Sequence, residues 1–173
     1  MKRHILGFTS ILILATSIIL PVSQAEDLGV QEKKNAAKAM FDNAIALVEK
    51  EGIHKALYEF NTNRSKFVDG AIHVMVVSDE GVIFAHSYQP YRIGISLATQ
   101  KSAEKRDQYS FQDALADMHK AGDEMKEIHW VWWNPETEKR EKKRAFVKRI
   151  HDSDPNFIAF FYVMASYFTP MDD

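Results

Sequence analysis

Two apolar, β-branched runs joined by Ser78-Asp-Glu-Gly81 constrain this chain more than any other feature in it. Residues 72–77 read Ile-His-Val-Met-Val-Val and residues 82–85 read Val-Ile-Phe-Ala, with Asp69-Gly70 before them and His86 after. Gly81 takes positive φ without steric cost, as a short link between antiparallel strands requires. The pair predicts a β-hairpin, and its largely apolar faces place it centrally in a sheet covered on both sides. The sequence leaves two registers open. If Ser78 pairs with Val82, His86 stands opposite Val74 and His73 points to the other face. If Asp79 pairs with Val82, His86 stands opposite Met75 and the two histidines share a face.

The chain begins with Lys2 and Arg3, an apolar run over 5–20, then Pro21 and Ser23-Gln24-Ala25. That pattern predicts a secretory signal peptide over 1–25, cleaved after Ala25, with an uncleaved anchor as the alternative. Residues 26–173 are then one exported, periplasmic or secreted domain of 148 residues. It carries 20 basic against 24 acidic residues and so no electrostatic footprint for nucleic acid. The absence of cysteine excludes disulfides, thiolate catalysis and Cys-ligated zinc. No Gly-x-Ser-x-Gly, His-Glu-x-x-His or phosphate loop occurs, so neither enzyme activity nor a cofactor is expected.

Residues 26–51 predict a long amphipathic helix, with Ala37, Met40, Phe41, Ala44, Ile45, Leu47 and Val48 at three- and four-residue spacing. A short helix over 53–60 follows Gly52, and the polar stretch 61–66 reads as a loop. After the hairpin comes a mixed, aromatic loop containing Pro90 and Gly94, then a polar stretch over 98–108. Ser110 is placed to cap a helix over 111–121, with Gly122 closing it. Strands are expected over 126–133, 140–150 and 157–167, joined by turns at Asn134-Pro135 and Asp154-Pro155. Turns this tight demand antiparallel pairing, which makes the domain α+β.

Four segments then carry a likeness. They are Gly52-Ile-His-Lys-Ala-Leu-Tyr-Glu-Phe-Asn61, the hairpin over 67–86, the Gln89-Pro90, Gly94 and Leu97 loop, and Trp132-Trp-Asn-Pro-Glu-Thr137 leading to Phe146-Val-Lys-Arg149. In these the sequence resembles the single Cache domain family, extracytoplasmic PAS-like sensor domains of bacteria, in its second single-Cache subtype. The resemblance implies a long N-terminal helix packed on a five-stranded antiparallel sheet. It also implies a pocket between the sheet and the 87–108 crossover, and small polar ligands, commonly short carboxylates. His73 and Trp130 stand where the family usually has Tyr, and Phe160 and Phe161 replace glycines it favours near the last strand. These departures fall on pocket-type positions, so ligand identity does not carry over, and a pocket filled by its own aromatics is the competing expectation. Most Cache domains lie between two membrane helices; a signal peptide followed by one domain implies instead a free-standing binding protein that presents its ligand to a membrane receptor. Dimerisation through the long helix is the partner expected of an interaction module. A cystatin-like or nuclear-transport-factor-like fold shares the same order of elements.

Eight residues are candidates for ligand contact. Arg92 offers forked donors suited to carboxylate, with Tyr88 and Tyr91 beside it, although such a loop can equally staple itself to the sheet. Trp130 and Trp132 share a strand face and line either a pocket or, the stronger reading for large aromatics, plain core. His73 and His86 lack a third ligand at metal spacing and read as pocket lining or satisfied core. Of the seven basic residues in 139–149, Lys143 occupies the family's usual lysine position and is the one expected to meet an anion; the rest read as a solvated hairpin.

Overall fold

The computed structural model describes residues 22–97, 110–152, 154 and 160–171. Helix α1 (Val22–Glu51) leads into α2 (Ile53–Thr62), α3 (Arg64–Phe67), strands β1 (Val68–Asp69), β2 (Ile72–Ser78) and β3 (Ile83–His86), and a 3-10 turn (Pro90–Arg92). Helix α4 (Phe111–Ala121) and strands β4 (Lys126–Asn134), β5 (Lys139–His151) and β6 (Phe160–Thr169) complete the described chain. Every pairing is antiparallel, in the order β3-β2-β6-β5-β4, with the two-residue β1 also on β2. This is an α+β arrangement with a long helix on an antiparallel sheet. Among the described helices none is long and apolar enough to cross a membrane.

The apolar stripe of α1 explains its position. Ala37, Phe41, Ala44, Ile45 and Val48 are buried against Val74, Val76, Phe146, Val163 and Ala165 on one face of the sheet. Full burial of a side chain such as Phe41 is worth about 1.5–3 kcal/mol, so the stripe decides which way the helix lies. On the opposite face α4 is held by Ser110, whose hydroxyl accepts from the Asp113 amide while Asp113 caps in return. Met118, Ala114 and Phe111 of α4 pack there with Met75, Ile128, Trp130, Ala145 and Met164.

Three sequence expectations need correction. The hairpin is not central: β6 holds the middle of the sheet because it pairs with both β2 and β5, leaving β3 on the edge. All of β2 is nonetheless buried, which accounts for its continuous apolar run. The 61–66 stretch is not a plain loop. Asn63 closes α2 through its amide to the Glu59 carbonyl, and α3 follows so that Phe67 can pack edge-on against Phe60, centroids 4.8 Å apart. Polar turn residues masked that turn of helix; the burial of Phe67 decides it. The N-terminal helix also extends further back than the expected start at 26, being helical from Val22, the first described residue. The expected polar stretch over 98–108, and the start of the last strand at 157–159, lie outside the described residues.

The hairpin satisfies both proposed registers in turn. Near the turn Ser78 donates its amide to the Val82 carbonyl, and Val77 stands opposite Ile83. Beyond it Val76 pairs with Ala85 and Met75 with His86, so Phe84 is an extra residue and β3 carries a bulge. The bulge shifts the register by one and turns His86 onto the face that carries His73. Asn61 accommodates the irregular edge: its amide donates to the Phe84 carbonyl at 3.1 Å and accepts from the His86 amide at 3.2 Å. Gly81, at φ 79°, supplies the turn.

Candidate functional site

Cross-strand pairing on the α4 face of the sheet assembles the site in three rows. Trp130 of β4 pairs with Lys143 of β5, which pairs with Phe168 of β6. One step along, Ile128, Ala145, Ser166 and His73 run across four strands. The next row carries Val147, Met164, Met75 and His86. Lys143, the middle of a highly charged strand, is thereby turned inward: it is 4% exposed, caged by Trp130 and Phe168 with Nζ 5.4 and 5.5 Å from their ring centroids.

The backbone sets both histidine tautomers. His73 Nδ1 lies 2.8 Å from the Ala71 carbonyl, which can only accept, so Nδ1 carries the proton and Nε2 presents a lone pair. Lys143 Nζ is 3.2 Å from that Nε2. His86 Nδ1 accepts from the Gln89 amide at 3.1 Å, which leaves Nε2 protonated and a donor. The rings of Tyr88, His73 and His86 stack in sequence, with centroids 5.6 and 4.7 Å apart. Arg92 lies with its guanidinium 5.1 Å from the Trp132 ring, closing the top.

These groups make an electropositive interior. Burial, then the Arg92 charge, pushes the Lys143 ammonium down to about 7. Burial, then the Lys143 and Arg92 charges, pushes His86 down to about 3, while burial followed by Lys143 and His86 holds His73 well below its ordinary value. Both imidazoles are neutral near pH 7. Among the described residues lining the site there is no carboxylate. Glu141, one pleat along the same face, is committed to the β4–β5 turn, accepting from Asn134 Nδ2 at 2.7 Å and Thr137 Oγ1 at 2.6 Å.

Space is scarce. Two voids of about 20 and 10 Å³ lie here, each bordered by His86, Arg92, Trp132 and Lys143. Each has room for about one water. A larger cavity, about 300 Å³, opens between α1 and the start of β2, lined by Glu32, Lys33, Asp69, Glu136 and their neighbours. It shares Ala71 and Phe168 with the basic site. Its charged side chains are exposed, so the convergent buried polar groups that mark a ligand site are found at the smaller voids.

Seven of the eight candidates are brought together: Tyr88, His73, His86, Arg92, Trp132 and Lys143 around the first void, and Trp130 beside the second. Tyr91 is not. It is 76% exposed, because the 3-10 turn that points Arg92 inward points its neighbour out. Sequence reasoning missed Ser166, whose hydroxyl is fully buried between His73 and Ala145 with no hydrogen-bond partner among the described residues. It also missed Arg64, which donates to the Ser87 and Tyr88 carbonyls at 2.9 Å and so holds the strand end that carries His86. A lone serine in an apolar strand carries no signal until the register is known.

No protein-family model matches the sequence, and none of the curated proteins matches it. Solved structures do. A methyl-accepting chemotaxis protein from Vibrio parahaemolyticus RIMD 2210633 is similar with a TM-score of 0.54 at 11% identity, over 84% of this chain and 95% of that one. The periplasmic sensor domain of a chemotaxis protein gives 0.48 at 16% identity, over 85% and 96%. A Cache chemosensory domain studied for carboxylic acid recognition gives 0.49 at 11% identity, over 86% and 99%. At such identities the likeness is one of fold alone, and the Vibrio parahaemolyticus chemotaxis protein carries it.

Proposed function

We propose that this protein is a non-catalytic, extracytoplasmic binding domain of the Cache type that takes a short carboxylate between the sheet and the 3-10 turn, in a sensory or ligand-presenting role. One observation carries the reading: Lys143 is buried in a site shared with Arg92 that has no acidic side chain in its described lining. A buried ammonium without a counter-charge is costly, and an incoming carboxylate removes that cost. Arg92 supplies forked donors and His86 Nε2 a further one. A ligand larger than water requires Arg92 and its turn to lift from Trp132, so binding is coupled to movement of the 3-10 turn Pro90–Arg92. The receptor that would read this movement belongs to the proposal, as does export on a signal peptide. N-terminal sequencing of the exported protein should begin at Glu26.

The test is a thermal-shift series with acetate, propionate and lactate. At 100 times its dissociation constant a ligand adds about 2.7 kcal/mol. Arg92→Ala and Lys143→Ala should abolish the shift, whereas Lys142→Ala, on the opposite face, should retain it. Because a carboxylate pairs with protonated Lys143, affinity should fall as pH rises above about 7. An unchanged shift in both site variants removes the site from the reading.

The small voids favour a second reading, an interaction module whose pocket is filled by its own side chains and which pairs through α1. A metabolite screen without a hit, together with a stable dimer by light scattering, would establish it.

A further inference from the structure

The described cavities, buried polar groups and charged faces converge on Lys143, whose reactivity as an amine the carboxylate reading leaves unused. Lys143 is a buried amine whose hydrogen-bonding neighbour is a base. Its Nζ sits 3.2 Å from the unprotonated Nε2 of His73, inside a cage of Trp130 and Phe168, with Arg92 bordering the same voids. An ion-pairing lysine needs a carboxylate opposite it; a nucleophilic lysine needs a dry pocket, a neighbouring cation and a proton acceptor. The second set is present.

We propose that Lys143 captures a small 2-oxo acid covalently as an imine, with the carboxylate of that acid held by Arg92. This rests on the carboxylate reading of the same site and narrows it to carboxylates that bear an adjacent carbonyl. The Nζ lone pair forms the bond to the carbonyl carbon, and the carbonyl π pair passes to its oxygen. His73 Nε2 takes the proton lost from Nζ and returns it to that oxygen, giving a carbinolamine. The nitrogen lone pair then expels the hydroxyl, which leaves as water with the second Nζ proton, relayed through His73 Nε2. Carbonyl and amine become imine and water, with no oxidant or reductant consumed. His86 Nε2–H, on the same side of the sheet, stabilises the developing charge on oxygen.

The free amine is available at neutral pH because burial, then Arg92, pushes Lys143 down to about 7. Among the described residues, the titratable and charged groups that face it are His73 from β2, His86 from β3, Tyr88 just after β3 and Arg92 from the 3-10 turn. Strands β4 and β6 present Trp130 and Phe168, which carry no charge. A surface lysine near its ordinary value of about 10.4 is almost wholly protonated at the same pH and reacts far more slowly.

The experiment uses the full chain with pyruvate as probe and borohydride to reduce any imine, read by intact mass and peptide mapping. One reduced adduct is expected, on Lys143, in the wild type and in Lys142→Ala, and absent in Lys143→Arg. Trapping should rise about tenfold between pH 6 and 8, following the free-amine fraction of a group near 7. Propionate, which has no carbonyl, should protect Lys143 by competition without forming an adduct. If pyruvate and propionate give equal thermal shifts and mapping finds no adduct on Lys143, the imine is overturned and the carboxylate reading stands. If neither ligand shifts the protein and no adduct forms, both fall. Adducts spread over exposed lysines at rates matching Lys143 also overturn the imine, and mapping of the wild type decides this whether or not the variants fold.

Discussion

Strands β4, β5 and β6 carry two polar clusters, one on each face of the same sheet, and they are built on opposite principles. On the α1 face Glu127 is surrounded by complements: Lys34 Nζ and Tyr167 Oη at 2.7 Å and Arg144 at 3.5 Å. Burial works to raise its carboxyl, but the hydrogen bonds from Lys34 and Tyr167 and the nearby cations hold it below the ordinary value. On the α4 face Lys143 shares its pocket with Arg92 and two neutral imidazoles, and its hydrogen-bonding neighbour is a histidine nitrogen. The first cluster is complete as it stands. The second has no carboxylate in its described lining, and a buried cation of that kind is what an anionic ligand can complete.

The largest effect should come from removing that buried cation. Lys143 ordinarily titrates near 10.4 and is held at about 7 in the folded chain, so the unfolded chain binds more protons between those values and stability must rise with pH across that window. Below pH 7 the burden on the folded state is on the order of 4 kcal/mol. Lys143→Met should therefore stabilise the apo protein at pH 7 by a few kcal/mol, about 2–4, and flatten the rise between pH 7 and 10 in urea unfolding. A loss of stability instead would mean that the Lys143 site is complete in its apo form, and the contrast with Glu127 would collapse.

The neighbouring histidine gives the next effect, on the acid side. His86 is neutral in the fold, with its folded value pushed down to about 3 from an ordinary 6.5, so its contribution is full above pH 6.5 and is lost as pH falls toward 3. Between pH 6.5 and 5 that loss reaches about 2 kcal/mol. His86→Gln, which keeps an acceptor for the Gln89 amide, should reduce the acid slope in the same window. An unaltered slope would show that His86 remains solvated at the mouth of the site.

How much of this was legible beforehand depends on which interaction decides each feature. The stripe in α1 and the Ser110 cap are local, so periodicity and a single side chain suffice to place them. Lys143 was legible as a family position, but its burial depends on pairing with Trp130 and Phe168, which are 13 and 25 residues away in the chain. The shared face of His73 and His86 depends on which of two registers the hairpin adopts, and the chain uses both by inserting Phe84 as a bulge. No composition rule foretells a bulge, because its stabilisation comes from Asn61 on another element. Tyr91 failed as a candidate for a similar reason: adjacency to Arg92 says nothing of which side of a 3-10 turn faces inward.

The Glu127 cluster should respond more weakly and in the opposite sense to Lys143. Glu127→Gln removes a charge that is one-quarter exposed, so solvent screening limits the loss to about 1 kcal/mol, measurable by urea unfolding at pH 7.

The smallest effect separates two adjacent residues. Ser166 and Tyr167 follow one another on β6 and therefore point to opposite faces. The Tyr167 hydroxyl donates to Glu127 at 2.7 Å, whereas the Ser166 hydroxyl is buried with no partner among the described residues. Deleting a satisfied hydroxyl costs about 1 kcal/mol, and deleting a buried one that has no partner relieves its desolvation. Tyr167→Phe should thus lower stability by about 1 kcal/mol, and Ser166→Ala should raise it by up to about 1 kcal/mol in the absence of ligand. Added carboxylate supplies the sharper readout. If Ser166 completes its hydrogen bonding only when the pocket fills, Ser166→Ala weakens the ligand-induced thermal shift while Tyr167→Phe leaves it intact. Equal losses of stability in the two variants, with equal ligand shifts, would place Ser166 in the same class as Tyr167 and erase the difference between the faces.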